Sequence, residues 1–155
     1  MPGEVLFFHL TVRPLEAVLP EIVEKTLARG WRAVLRAGSR ERVEALSALL
    51  WTFEPASFLP HGSAADGRPE RQPVWLTAGD ELPNDPQALL LCDGAACSEA
   101  EIARMTRVAT LFDGHDPERL AQARALWRLA ETAGARAAYW AQGERGAWEV
   151  KRERG

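Results

Sequence analysis

The stretch EVLFFHL, residues Glu4–Leu10, is a continuous apolar run close to the start of the chain. Strands that are buried on both faces of a parallel sheet have such runs, whereas a strand with one wet face alternates apolar and polar residues. The run therefore predicts the first strand of a sheet that is covered on both sides.

Similar apolar runs recur along the chain and alternate with segments of helical periodicity. The predicted later strands are residues 31–37, 73–77, 87–92, 107–112 and 135–140. Helical patterns fill the intervals, with Ser39 and Asp116 as predicted N-caps and Gly30 and Gly134 as predicted helix ends. Pro20 lies inside the first helical pattern and predicts a kink or a late start.

This alternation predicts an α/β fold, a single-domain and mostly parallel sheet flanked by helices. We expect the domain to span residues 1–140, with residues 141–155 as a charged and loosely ordered extension. A length of 155 residues is typical of one domain.

The composition is typical of a globular protein and argues against a membrane-spanning or disulfide-stabilised one. At 46% hydrophobic and 26% charged residues it is globular, and no apolar run approaches the ~20 residues of a membrane span. No basic segment precedes the first apolar run, as a signal peptide would require. Two cysteines make no disulfide framework. We therefore expect a cytoplasmic protein with no membrane partner.

The net charge of −3 is unevenly distributed. From Arg119 onward there are 8 Lys/Arg and 4 Asp/Glu, whereas the preceding residues carry 11 basic and 18 acidic side chains. A mildly acidic chain with one positive end is a poor general nucleic-acid binder, so we expect its contact with nucleic acid to be mainly indirect. The positive end is suited to an acidic ligand.

The sequence contains no complete phosphate-binding motif. The segment GSAADGRP, residues 62–69, approaches the Walker A pattern, but Arg68 replaces the lysine and Pro69 stands where a hydroxyl is needed. No G-x-G-x-x-G follows the first strand. The sequence therefore predicts a nucleotide-binding-like topology without a nucleotide site, and no cofactor.

Two further segments carry side chains that could do chemistry. CDGAAC, which contains Cys92 and Cys97, lacks the second pair that a tetrahedral metal site requires. The cluster DGHDPE, residues Asp113–Glu118, lies at a strand end, where α/β active sites are found, and offers the alternative of a metal-dependent hydrolase. Since Asp116 is already explained as a helix cap, we expect neither catalysis nor a metal there.

The last helix is more informative. Its apolar arc faces the sheet and consists of Leu120, Ala123, Leu126, Trp127, Ala130 and Ala133. Trp127 lies at the edge of this arc between Arg124 and Arg128, so we expect a partly exposed indole beside two guanidiniums that can hold an aromatic ring and a carboxylate. Alternatively, Glu131 neutralises both arginines and Trp127 anchors the core. The helix alone leaves both interpretations open.

The segment WTFEPASFLPHG, residues Trp51–Gly62, is an unusual connection. Turns are ordinarily built from Gly, Asn, Asp and Ser, but this one carries three aromatic rings and two prolines. It predicts either a segment that closes the core or a rigid apolar docking surface, with Phe58 exposed.

Taken together, LLWTFEPASFLPHG, the Gly-rich loop, QPVWL and the Arg-x-x-Trp-Arg run resemble the chi subunit family of bacterial DNA polymerase III holoenzyme. The resemblance covers nearly the whole chain to about Trp140. It implies a non-catalytic accessory subunit that links the clamp-loader complex, through the psi subunit, to the acidic C-terminal tail of single-stranded-DNA-binding protein.

The resemblance also implies two binding sites. For the tail it implies Arg124, Trp127, Arg128 and the neighbouring Arg119. For a psi-like clamp-loader subunit it implies Trp51, Phe58, Pro60 and His61. The departures from the family pattern are Pro20, Leu120 in place of a basic residue, and the extension beyond Trp140.

Overall fold

The structure is a computed structural model that describes residues 3–52, 61–145 and 147–154. Its strands are β1 (Glu4–Leu10), β2 (Ala33–Arg36), β3 (Val74–Thr77), β4 (Ala88–Cys92), β5 (Arg107–Asp113), β6 (Arg136–Gln142) and β7 (Trp148–Arg154). Its helices are α1 (Leu15–Ala28), α2 (Arg40–Thr52), α3 (Glu99–Arg104) and α4 (Pro117–Ala133), with a 3-10 turn at Pro69–Arg71.

The strands form one seven-stranded sheet in the order β3-β2-β4-β5-β1-β6-β7. Every pairing from β3 to β6 is parallel, and β7 alone runs antiparallel, along β6. The predicted α/β fold is confirmed. None of the described helices is long and apolar enough to cross a membrane.

Two apolar layers cover the sheet. On one face, Leu10 and Leu35 pack with buried residues of α1 and α2. On the other face, Val5 and Phe7 pack with buried residues of α3 and α4. Both faces of the central strands are therefore dry, which is the reason that their sequences are continuously apolar.

The predicted helix ends are observed. Ser39 Oγ accepts from the backbone N–H of Arg42, and Asp116 Oδ1 accepts from that of Glu118. Gly134 ends α4 at a φ of 73°, which favours glycine because it has no Cβ. α1 continues through Pro20, which is buried.

The C-terminal extension differs from the loosely ordered segment expected from its charge. Residues 148–154 form β7, which pairs with β6 from Ala137 to Gln142. The indole of Trp148 packs edge-on against Phe8 of β1, with 5.1 Å between ring centroids. A strand that gains backbone partners and buries an aromatic ring becomes part of the sheet even when its other side chains are charged.

Candidate functional site

Trp127 lies inside the protein. Its side chain is 8% exposed, and its ring packs against Phe7 of β1 with the centroids 5.3 Å apart. The expectation of a partly exposed indole is therefore wrong. Helical periodicity placed Trp127 at the edge of the apolar arc, but β6 and β7 extend the sheet beneath that edge and cover it.

Arg152 of β7 covers the same ring. Its guanidinium carbon lies 4.8 Å from the centroid of the Trp127 ring, which is the geometry of a cation–π contact. The sequence did not single out Arg152. The only signal was the excess of basic residues at this end of the chain, which does not indicate a position in space.

Arg124 and Arg128 are exposed on α4, on either side of Trp127 in sequence. The alternative interpretation, in which Glu131 neutralises both arginines, stays a prediction. Both side chains therefore face solvent on the same flank of the helix, four positions apart.

Tyr139 of β6 lies beside this flank. Its ring stacks on Phe7 with 5.8 Å between centroids, and its hydroxyl is 2.7 Å from Nδ1 of His9. Burial raises the pKa of Tyr139, and the nearby charge of Arg124 opposes that rise. Arg124 therefore lies close enough to Tyr139 to act on it electrostatically.

Arg119 lies on the opposite flank. It donates to Oε1 of Gln122 at 3.1 Å and lines a mostly apolar cleft of about 380 Å³ between α4 and residues 94–97. The structure thus groups Arg124, Trp127 and Arg128 and separates Arg119 from them.

The residues expected at the clamp-loader contact are only partly described. Trp51, at the end of α2, is 48% exposed, and its ring lies 4.8 Å from that of His61. His61 is buried, and its Nε2 donates to the carbonyl oxygen of Ser47 at 3.1 Å, so it is not the surface residue expected. Phe58 and Pro60 lie outside the described residues.

A third location is the point of the sheet where nucleotide-binding folds hold their ligand. β1 and β5 are neighbours whose following helices pack on opposite faces, and a cleft of about 470 Å³ opens where these strands end. The backbone N–H groups of Thr11, Val12 and Arg13 converge there, but all three donate to Oε1 of Gln142 at 2.9–3.0 Å. A nest of this kind ordinarily attracts an anion, and here a side-chain amide occupies it.

The Walker-like segment is closed by its own hydrogen bonds. The backbone N–H of Ser63 donates to Asp66 Oδ2, and that of Gly67 donates to the carbonyl oxygen of Ser63. Gly62 pairs with Trp75 in β3. These N–H groups are therefore not presented to a phosphate.

The Asp113–Glu118 cluster and the two cysteines show no sign of a reactive site. The carboxylates of Asp113 and Asp116 accept hydrogen bonds from nearby backbone N–H groups. Asp113 Oδ1 accepts from the backbone N–H of His115, and Asp116 caps α4. Burial raises the pKa of both cysteine thiols, that of Cys97 to about 12, which disfavours the reactive thiolate. Within the described ranges no group of three or more His, Cys, Asp or Glu residues could hold a metal ion.

A family model and a curated relative both match this chain, and both are of the DNA polymerase III chi subunit. The family model of the DNA polymerase III chi subunit, HolC, matches residues 2–138. A curated relative from Rickettsia prowazekii (strain Madrid E), named "Probable DNA polymerase III subunit chi", is 33% identical over 94 residues. That alignment covers 61% of this chain and 53% of the relative, so it spans about half of the relative's length.

Proposed function

This chain belongs to the DNA polymerase III chi subunit family, and we propose that it acts as a non-catalytic accessory subunit of the replicative polymerase. In this role it links the clamp-loader complex to single-stranded-DNA-binding protein by holding the acidic C-terminal tail of that protein. The contact is with protein, so its association with DNA is mainly indirect.

The observation that supports this function is the pair of exposed guanidiniums of Arg124 and Arg128 on a chain whose net charge is −3. In an acidic protein, a local basic surface provides specific attraction for an acidic ligand rather than general attraction for polyanions. The carboxylates of a peptide tail match guanidinium geometry, since Arg forms two parallel N–H···O bonds with one carboxylate.

In this proposal each residue has its own role. Arg128 holds the terminal carboxylate and Arg124 the acidic residues that precede it. Trp127 is buried, so it packs beneath the two arginines and does not itself contact an aromatic ring of the peptide. Arg119, on the other flank, contributes only long-range attraction.

A titration with a synthetic tail peptide tests the proposal. Wild-type protein should bind at about micromolar Kd, near −8 kcal/mol, and more weakly as salt screens the exposed charges. Arg128→Ala should weaken binding at least about tenfold, whereas Arg136→Ala, which removes an equal charge from the start of β6, should change it little. Amidation of the peptide's C-terminus should reproduce the Arg128→Ala loss. If the wild-type protein does not bind the peptide, the proposal fails.

We also propose that a psi-like clamp-loader subunit docks at Trp51 together with Phe58 and Pro60. Trp51 is one of the large apolar side chains that remain exposed, and truncation of such an aromatic anchor costs ~2 kcal/mol or more of binding. Trp51→Ala should therefore abolish co-purification with the psi-like subunit and leave the melting temperature nearly unchanged. Glu44→Ala, at an exposed position of the same helix, is the matched control.

A further inference from the structure

The family match ends at residue 138, so β7 lies outside it. β7 is nevertheless firmly placed, because it pairs with β6 and anchors Trp148 on Phe8. A strand that is added at the edge of a sheet next to a binding site can supply side chains to that site. The question is which of its residues reach the flank of α4.

An irregularity in the pairing determines this. Trp140 is opposite Val150, but Tyr139 is opposite Arg152, so Lys151 is an extra residue that the register passes over. A bulge of this kind re-aims the following side chain. It places Arg152 on the same face as Tyr139, over the ring of Trp127.

Arg152 is held in a way that leaves its hydrogen-bonding capacity unused. The guanidinium carbon lies over the indole, 4.8 Å from the ring centroid, and a guanidinium carries five N–H donors in its own plane. The guanidinium of Arg152 makes no hydrogen bond or ion pair within the described part of the chain, and the residue is exposed. A guanidinium that is held over a buried ring and is exposed on its other side can still donate to an external carboxylate.

We propose that Arg152 is a third cation of the acidic-tail site, so that the tail is held between α4 and β7 and not by α4 alone. This inference rests on the proposed function. The tail's acidic residues contact Arg124 and Arg152, which both flank Tyr139, while Arg128 holds the terminal carboxylate. β7 thus adds affinity and selects for tails with an acidic residue close to the C-terminus.

The same peptide titration, with variants of β7, tests this. Arg152→Ala should weaken binding about five- to tenfold. Arg152→Lys should recover only a small part of that loss, because an ammonium neither stacks as a plane nor binds a carboxylate in two places. Lys151→Ala is the matched control: it removes the same charge one residue away, from a side chain that pairs with Glu149 at 3.1 Å, and should change the Kd less than twofold.

A second peptide carries Asn or Gln in place of the acidic residues that precede its C-terminal residue. For this peptide the Kd of wild type and that of Arg152→Ala should be the same. If Arg128→Ala weakens binding but Arg152→Ala does not, the third-cation proposal is wrong and the proposed function stands. If Arg152→Ala and Lys151→Ala weaken binding equally, the effect is one of net charge and the proposal is also wrong. If wild-type protein does not bind the tail, both proposals fail.

Discussion

The ring of Trp127 on α4 packs against the ring of Phe7 on β1, with 5.3 Å between centroids and an angle of 46° between planes. This contact joins the helix that carries the exposed arginines to β1, an interior strand of the sheet. Trp127 is therefore first a core residue, and the surface above it depends on the core being intact.

The first prediction follows from this contact. Trp127→Ala should lower the free energy of unfolding by ~3–5 kcal/mol, because it removes a large buried ring and leaves a cavity. Trp127→Phe should retain most of the stability and more tail affinity than Arg128→Ala does. Urea denaturation measures the first effect, and peptide titration the second. Wild-type stability in Trp127→Ala would contradict the packing.

The second prediction concerns the filled nest after β1. Gln142→Met keeps the size of the side chain but removes the oxygen that accepts from Thr11, Val12 and Arg13, and should cost about 2 kcal/mol of stability. The free energy of unfolding of Gln142→Glu should be closer to that of wild type at neutral pH, because a carboxylate oxygen accepts the same hydrogen bonds. The exchange also loses no bond of Nε2, which has no partner in the described part of the chain. Gln122→Met, on the exposed side of α4, is the control. Equal stability of Gln142→Met and Gln122→Met would refute this role.

The third prediction concerns a largely buried ion pair. Arg36, at the end of β2, makes two bonds to Glu101 of α3, at 2.7 and 3.0 Å, and both side chains are at most 16% exposed. Glu101→Gln should cost ~3–5 kcal/mol, because it leaves the guanidinium buried without a countercharge. Glu99→Gln, in the exposed first turn of the same helix, should cost little.

The pH dependence of that pair has a definite sign. Hydrogen bonds from Arg36 hold the pKa of Glu101 below its ordinary value of 4.5. The pair's contribution to stability is therefore fully present above pH 4.5 and is lost as the pH falls through the lower, folded-state pKa. Stability curves of wild type and Glu101→Gln should converge as the pH falls below 4.5. Parallel curves down to pH 3 would exclude the linkage.

The fourth prediction concerns His9. Its pKa is lowered from 6.5, mainly by burial and secondly by the charge of His115, while Asp113 opposes the shift. The unfolded chain therefore takes up a proton more readily, so the free energy of unfolding should decrease as the pH falls from about 6.5. His9→Gln should lack that part of the decrease, as seen in thermal melts between pH 7.5 and 5. His115→Gln, at an exposed position, should retain most of it.

The sequence alone predicted most of the fold. Continuous apolar runs marked β1 and β4, because a strand covered on both faces must be apolar at every position. Ser39, Asp116 and Gly134 marked helix ends, because caps act on backbone groups only a few residues away. These signals are local, so they can be recognised in a single sequence before any tertiary contact is known.

The candidate site was predicted in part. Arg124 and Arg128 were identified because helical periodicity places them outside the apolar arc, and both are exposed. Arg119 was grouped with them by proximity in sequence, but it lies on the opposite flank of α4. The family resemblance implied His61 as a docking residue, but the residue is buried and its ring donates to the carbonyl oxygen of Ser47.

Only the tertiary structure decided the contacts between distant segments. Gln142 meets residues about 130 positions earlier, Arg36 meets Glu101 across 65 positions, and Arg152 meets Trp127 through a bulge in β7. A polar or charged side chain has the same sequence pattern whether it is solvated or paired, since its partner is chosen by the order of strands in the sheet. The sequence by itself therefore determined which segments up to β6 are strands and helices and that Arg124 and Arg128 face outward, but it did not predict β7. The packing of β6 and β7 beside α4 determined that Trp127 is buried and that Arg152 lies over it.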